Sequence, residues 1–235
     1  SKMIQRVKVT YVFLLILLPI CIILGTSLGA FNIEFKQCTN IFLDLFGADN
    51  YSDFTKPQSN VLLYIRLPRV FLSMMIGAAL AVSGAGLQGL FRNRLADAGL
   101  IGISAGAMLA ASIAIILGLQ FTSGILGYYS ISVATFIGAI STTIVVFRLS
   151  KSNKTTNVAT MLLGGIAINA LAGAVTGFII YLSDDDQLRD ITFWSLGSLG
   201  GADWAKVIAL IPLIILPIIM IAHLAVPAMD DNENL

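Results

Sequence analysis

Charge is what this chain most lacks. Its 235 residues include 14 Lys or Arg and 13 Asp or Glu, 11% together, against about 25% in an average soluble domain. So thin a polar shell excludes a disordered chain and an ordinary water-soluble enzyme. The net charge of +1 comes from scattered residues, so there is no basic face for nucleic acid or for a polybasic lipid anchor. His223 is the sole histidine, too little for a Cys/His zinc cluster. Cys21 and Cys38 make no disulfide framework. No G-x-x-x-x-G-K-S/T run occurs, so the chain cannot itself hold ATP in a P-loop. No cofactor and no metal is expected.

What it has instead is apolar sequence: 57% of residues, with a mean hydropathy of +0.90. These residues fall in blocks, and a bilayer core about 30 Å thick needs roughly 20 apolar residues of helix. Six blocks qualify, at residues 9–31, 68–91, 100–118, 131–147, 158–181 and 205–225. The first follows Lys2, Arg6 and Lys8 but is longer than a secretory signal core of roughly 7–15 residues, so it is read as a retained span. The expected fold class is all-α, a polytopic transmembrane bundle in a bacterial cytoplasmic membrane, surrounded by lipid.

Basic residues orient it. Lys2, Arg6, Lys8, Arg92, Arg94, Arg148, Lys151 and Lys154 share one side, the cytoplasmic one by the positive-inside rule, which puts the N-terminus inside. The opposite side holds the loop at 32–60 and the acidic cluster Asp184, Asp185, Asp186 and Asp190. The stretch 183–203 is too polar to span and carries Trp194 beside three glycines, with Trp204 just after it. It reads as a short interfacial helix or a re-entrant turn.

Two soluble-enzyme patterns lack their context. Gly84-x-Gly86-x-x-Gly89 has dinucleotide-site spacing but no strand before it. Gly102-x-Ser104-x-Gly106 has nucleophile-elbow spacing, yet the one histidine lies far along the chain. Small residues crowd the second, third and fifth spans, and Gly173-x-x-x-Gly177 is a helix-packing step. Packing within the bundle and the wall of a pathway both call for such side chains.

The segment 64–106 is the most informative. Pro68 suits the first turn of a helix, with Leu67 extended before it. Arg66 and Arg69 then flank a helix start at the outer surface, where they either snorkel to headgroups or present forked N–H donors to a partner's carboxylates. Asn93, at the opposite turn, either caps a helix end or lines a constriction.

The runs I-R-L-P-R (65–69), G-A-A-L-A-x-S-G-A-x-x-Q-x-L-F-x-N-x-L-A-D-x-G-L-x-G-x-S-x-G-A (77–107), M-L-L-G-G-I-A-I-N (161–169) and F-W-S-L-G-S-L-G-G-A-D-W (193–204) resemble the FecCD family of permeases. These are membrane subunits of ABC importers for iron–siderophores, haem and cobalamin. The resemblance implies a non-enzymatic permease for a ferric siderophore, with haem or cobalamin as variants, working by alternating access. Its implied partners are a second permease subunit, two ATP-binding cassette ATPase subunits and an extracytoplasmic substrate-binding protein. It implies that Arg66 and Arg69 dock the binding protein. Asn93, Leu95, Val158, Ala159 and Thr160 would form a cytoplasmic gate. Gly164, Gly165, Asn169, Gly173 and Gly177 would lie on the conduit helix.

Two departures stand out. Arg94 occupies a position where the family usually has proline. Family members run to about ten spans, so residues 1–235 are expected to form a single permease domain without the last four spans and the coupling helices. The rival readings are a membrane-embedded enzyme working through Ser104 or an aspartate, and an assembly subunit with no transport role.

Overall fold

The computed structural model describes residues 2–45, 47, 53–91, 97–121, 123–152, 155–156 and 158–230. In chain order the helices begin with α1 (Lys2–Ser27), α2 (Phe35–Leu45) and α3 (Lys56–Val61), then a π-helical turn (Leu62–Arg66) and α4 (Leu67–Phe91). A 3-10 turn (Ala98–Ile101) leads into α5 (Ile103–Ile116), and α6 (Ile125–Ser150) follows. A small antiparallel hairpin, β1 (Lys151–Ser152) with β2 (Thr155–Thr156), joins α6 to α7 (Val158–Leu182). Last come α8 (Asp185–Leu196) and α9 (Trp204–Asp230). The chain divides into two units, one built on residues 1–80 and 199–226, the other on residues 81–198.

Among the described residues five helical stretches are long and apolar enough to cross a membrane: Gln5–Ser27, Lys56–Phe91, Gly127–Ser150, Val158–Leu182 and Trp204–Ile221. The expected all-α membrane bundle is therefore what forms. In the first of these stretches the apolar window is 0% buried within the chain, as suits a helix whose solvent is hydrocarbon.

In the first unit α2 is amphipathic. Cys38 and Ile41 turn inward onto Ile33 and Leu62 to make a small core. On its polar side the Lys36 ammonium meets Asp53 at 2.9 Å. That hydrogen bond raises the lysine's pKa, but a pair this exposed adds little stability.

The expected helix start at Pro68 does not hold. Residues 56–91 form one helical run, and Leu67 is helical rather than extended, with φ −58° and ψ −53°. The π turn is what accommodates the proline. Leu67 N–H donates to the Leu62 carbonyl, a wider i→i+5 closure. In that register the Leu63 carbonyl would next receive the N–H of residue 68, which proline lacks. Instead it accepts the indole N–H of Trp204 at 2.8 Å. The Trp204 ring also packs on Phe71, their centroids 5.6 Å apart. The carbonyl orphaned by Pro68 thus becomes the point to which the start of α9 is tied.

In the second unit α5 and α6 cross at glycines. A Cβ on Gly106 would overlap the Thr142 hydroxyl and lie 2.7 Å from the Gly138 carbonyl oxygen; one on Gly138 would lie 2.5 Å from the Ala110 Cβ. Phe91, Ile101, Val146 and Met161 close a core where α4 ends and α7 begins. The third span differs from expectation. Its α-helix, α5, has 14 residues, about 21 Å at 1.5 Å per residue, because Gly102 (φ +84°) separates it from the 3-10 turn and Gly118 (φ +65°) follows its last turn. α6 begins at Ile125 rather than 131, just after Gly124 at φ +86°.

A short helix, α8, does occupy the polar stretch 183–203. The Asp184 carboxylate accepts the Gln187 N–H at 2.8 Å, and the Gln187 amide reaches the Ile116 carbonyl at 3.4 Å. Both contacts fit a capped helix start resting on the end of α5.

Candidate transport site

The two arginines flanking Pro68 have different surroundings. Arg66, 6% exposed, turns toward the end of α1. Its Nη1 donates to the carbonyls of Thr26 at 2.9 Å and Ser27 at 2.8 Å, and its Nη2 donates to that of Phe31. A guanidinium over the last carbonyls of a helix satisfies acceptors left without intrahelical partners and sits at the negative end of the helix dipole. Gly29 makes the room: a Cβ there would lie 2.7 Å from Arg66 Nη2. Arg69, one turn on, is exposed. Its Nε and Nη2 donate to the carbonyls of Leu199 and Gly200 at 3.2 and 3.3 Å, long bonds that leave much of the fork facing outward.

α7 has two faces. On one, Met161, Gly165, Ala172 and Thr176 are buried. Gly165 lies directly against the Leu100 carbonyl, which any Cβ would overlap. One turn further, Asn169 Nδ2 donates to the Gly99 carbonyl at 2.7 Å. On the other face Gly173 and Gly177 have no atom within 4 Å of where a Cβ would stand. Gly164 lies between these extremes, near Val146 Cγ1. Among the described residues nothing comes within 4 Å of a Cβ built at 173 or 177, whereas Gly165 and Asn169 are engaged by the 3-10 turn.

Of the expected gate, Val158, Ala159 and Thr160 are exposed on the first turn of α7. Asn93 and Leu95, with Arg92 and Arg94, lie outside the described residues. The elbow-like glycines find other roles. Gly102 supplies the left-handed junction into α5, and Gly106 supplies the approach to α6. Between α5 and α6 lies an apolar groove of about 310 Å³, lined by Ala110, Ile113, Ala134 and Ile137 without converging polar groups. Among the described residues no three His, Cys, Asp or Glu side chains gather as a metal site.

Sequence reasoning missed the pairing of Trp204 with the Leu63 carbonyl and that of Asn169 with Gly99. Both are single side-chain bonds to backbone across 70 residues or more, and no local pattern announces the acceptor. The Gly25-x-x-x-Gly29 spacing in the first span was a visible signal. Gly25 meets Val70 and Gly29 meets Arg66.

Long apolar helices that cross at glycines define a polytopic α-helical membrane protein. The chain belongs to the FecCD transport family, whose profile matches residues 15–229. It is 40% identical over 225 residues to the hemin transport system permease protein HmuU of Yersinia pestis, covering 94% of this chain and 64% of that protein. It is 34% identical over 167 residues to the vitamin B12 import system permease protein BtuC of Escherichia coli, covering 69% and 49%. Among solved structures, a metal-chelate type ABC transporter in an inward-facing conformation superposes with a TM-score of 0.66 at 26% identity, over 88% of this chain and 57% of the other. The chain thus spans less than two thirds of the length of these relatives.

Proposed function

We propose that this chain is the membrane subunit of an importer that carries a bulky metal chelate into a bacterial cell, driven by separate ATPase subunits. The family match across residues 15–229 carries the reading. Within that class the cargo is a ferric siderophore, with haem the nearest competitor given the likeness to a hemin permease. A chelate already held by a carrier protein needs a smooth, weakly binding wall, and the open face of α7 at Gly173 and Gly177 supplies one. Arg69 offers the exposed charge for carrier docking, Arg66 shapes the surface beside it, and Asn93, Leu95 and Val158–Thr160 form the inner gate. Transport then follows from a shift between two conformations that bind carrier and nucleotide differently. Few ionisable groups lie in the long spans, which speaks against an intramembrane enzyme.

Two measurements test this. In proteoliposomes holding the permease, its ATPase and its carrier protein, ATP should drive accumulation of an iron-labelled siderophore. Uptake of haem in its place overturns the cargo assignment, and uptake of no chelate overturns the function. In whole cells a membrane-impermeant maleimide should label a cysteine at Asp186 and spare one at Ser152. The reverse pattern inverts the orientation, which rests on the alternation of basic loops.

A further inference from the structure

The third span is broken where it leans on α7. From Asp97 to Gly102 the chain runs as a 3-10 turn that leads into α5. The Asp97 carboxylate accepts the Gly99 N–H at 2.7 Å, Leu100 N–H returns to the Asp97 carbonyl at 3.1 Å, and Gly102 N–H makes a 3.2 Å bond to the Gly99 carbonyl. The turn meets α7 at Gly165 and Asn169, about 10–17 Å along that helix from Val158 at 1.5 Å per residue. That is well inside a helix of 25 residues. Non-helical backbone at such depth survives only where protein satisfies its polar groups.

Two glycines make room for the turn, and one side chain of α7 supplies a hydrogen bond to it. Gly165 has no side chain, so the Leu100 carbonyl seats against the backbone of α7. Gly102 takes a left-handed conformation, and a Cβ there would lie 3.0 Å from Thr142 Cγ2 and 3.5 Å from Asn169 Oδ1. Asn169 gives the Gly99 carbonyl its short second bond of 2.7 Å. The bond reaches this turn from the middle of α7. Ile101, 2% exposed, adds apolar packing against Met161 and Val146.

We infer that Asn169 is a positioning residue: it pins the unwound start of the third span to α7, so that this turn and α7 shift as one piece. On the transport reading above, the first turn of α7 at Val158–Thr160 belongs to the proposed gate. The Asn169–Gly99 bond therefore carries the 97–102 turn along with α7 when that helix moves. Interdigitated packing at Gly165 already resists sliding, and the directional bond from Asn169 adds a fixed length and angle at mid-helix.

The test uses the membrane-embedded chain in nanodiscs, with Cys21 and Cys38 replaced and a single cysteine at the half-buried Ala98. A water-soluble maleimide reports how often the turn leaves α7. Asn169→Leu should raise the labelling rate at position 98 about tenfold, the scale of one lost buried hydrogen bond, while a control cysteine at Val133 is unchanged. Asn169→Gln, which keeps an N–H donor, should restore much of the protection. Equal rises at both positions mean a general loosening of the fold and overturn the inference, as does an unchanged rate at position 98. In the reconstituted importer, Asn169→Leu should lower maximal uptake while the carrier concentration giving half-maximal uptake stays the same. A change confined to that concentration also overturns it. If the unsubstituted chain imports no chelate, the transport reading fails, while the labelling result still decides whether the turn is pinned.

Discussion

Gly165→Val and Gly106→Val are expected to remove most of the folded protein, while the same change at Gly173 or Gly177 leaves folding intact. All four glycines lie in apolar helices that begin or end near other spans, and spacing alone does not separate them. Their neighbours do. At Gly165 a Cβ would overlap the Leu100 carbonyl, and at Gly106 it would overlap Thr142 and crowd the Gly138 carbonyl at 2.7 Å. The Leu100 and Gly138 neighbours are backbone, so no rotamer change relieves the overlap and the helices must separate. Overpacking costs about 1–3 kcal/mol, more when backbone has to move. Even Gly→Ala, which gains up to about 1 kcal/mol in helix propensity, should destabilise at these two positions. At Gly173 and Gly177 the same change meets nothing within 4 Å and should be neutral or slightly stabilising. Monodisperse yield in detergent, with unfolding in a denaturing detergent as the quantitative measure, reads the contrast. Equal losses at all four sites would show that the α7 face at 173–177 is packed after all.

Arg66 and Arg69 should separate just as sharply, although both flank one proline. Arg66→Ala leaves the carbonyls of Thr26, Ser27 and Phe31 without their guanidinium donor in a nearly closed site. Leaving a buried acceptor without its donor costs about 1–3 kcal/mol, and three carbonyls lose theirs together, enough to loosen the end of α1. Arg66→Glu should do worse, since it sets a carboxylate against carbonyl oxygens. Arg66→Lys should rescue only in part, because an ammonium lacks the planar fork that reaches three acceptors. Arg69→Glu gives up two long, exposed bonds and should change stability by less than about 1 kcal/mol. On the proposed function it should nevertheless weaken binding of the carrier protein, because it reverses the exposed charge. Thermal stability in detergent and carrier binding to immobilised permease give the two readouts. Loss of carrier binding with full stability in Arg66→Glu would show that Arg66 faces the partner rather than α1.

These contrasts mark how far the sequence alone reaches. Apolar blocks near 20 residues long, with almost no charge, leave a membrane bundle as the only fold that satisfies both side chains and backbone. The length of α7 was legible to within a residue at each end, because its apolar run is bounded by polar sequence. The R-L-P-R, F-x-N-x-L and L-L-G-G-I-A-I-N runs carried the family. What composition and spacing leave undecided is which carbonyl a given donor reaches. Pro68 reads as a helix start until the π turn and Trp204 are seen to absorb its missing hydrogen bond. The third span reads as unbroken because Leu100 and Ile101 are as apolar as any spanning residue. Its break becomes visible only when Gly165 and Asn169, more than 60 positions later, are folded against it. Arg66 reads as a surface charge until the end of α1 arrives. Hydrophobicity is a property of each segment and is written in that segment. Satisfaction of a buried polar group is a property of a pair, and tertiary structure chooses the pair.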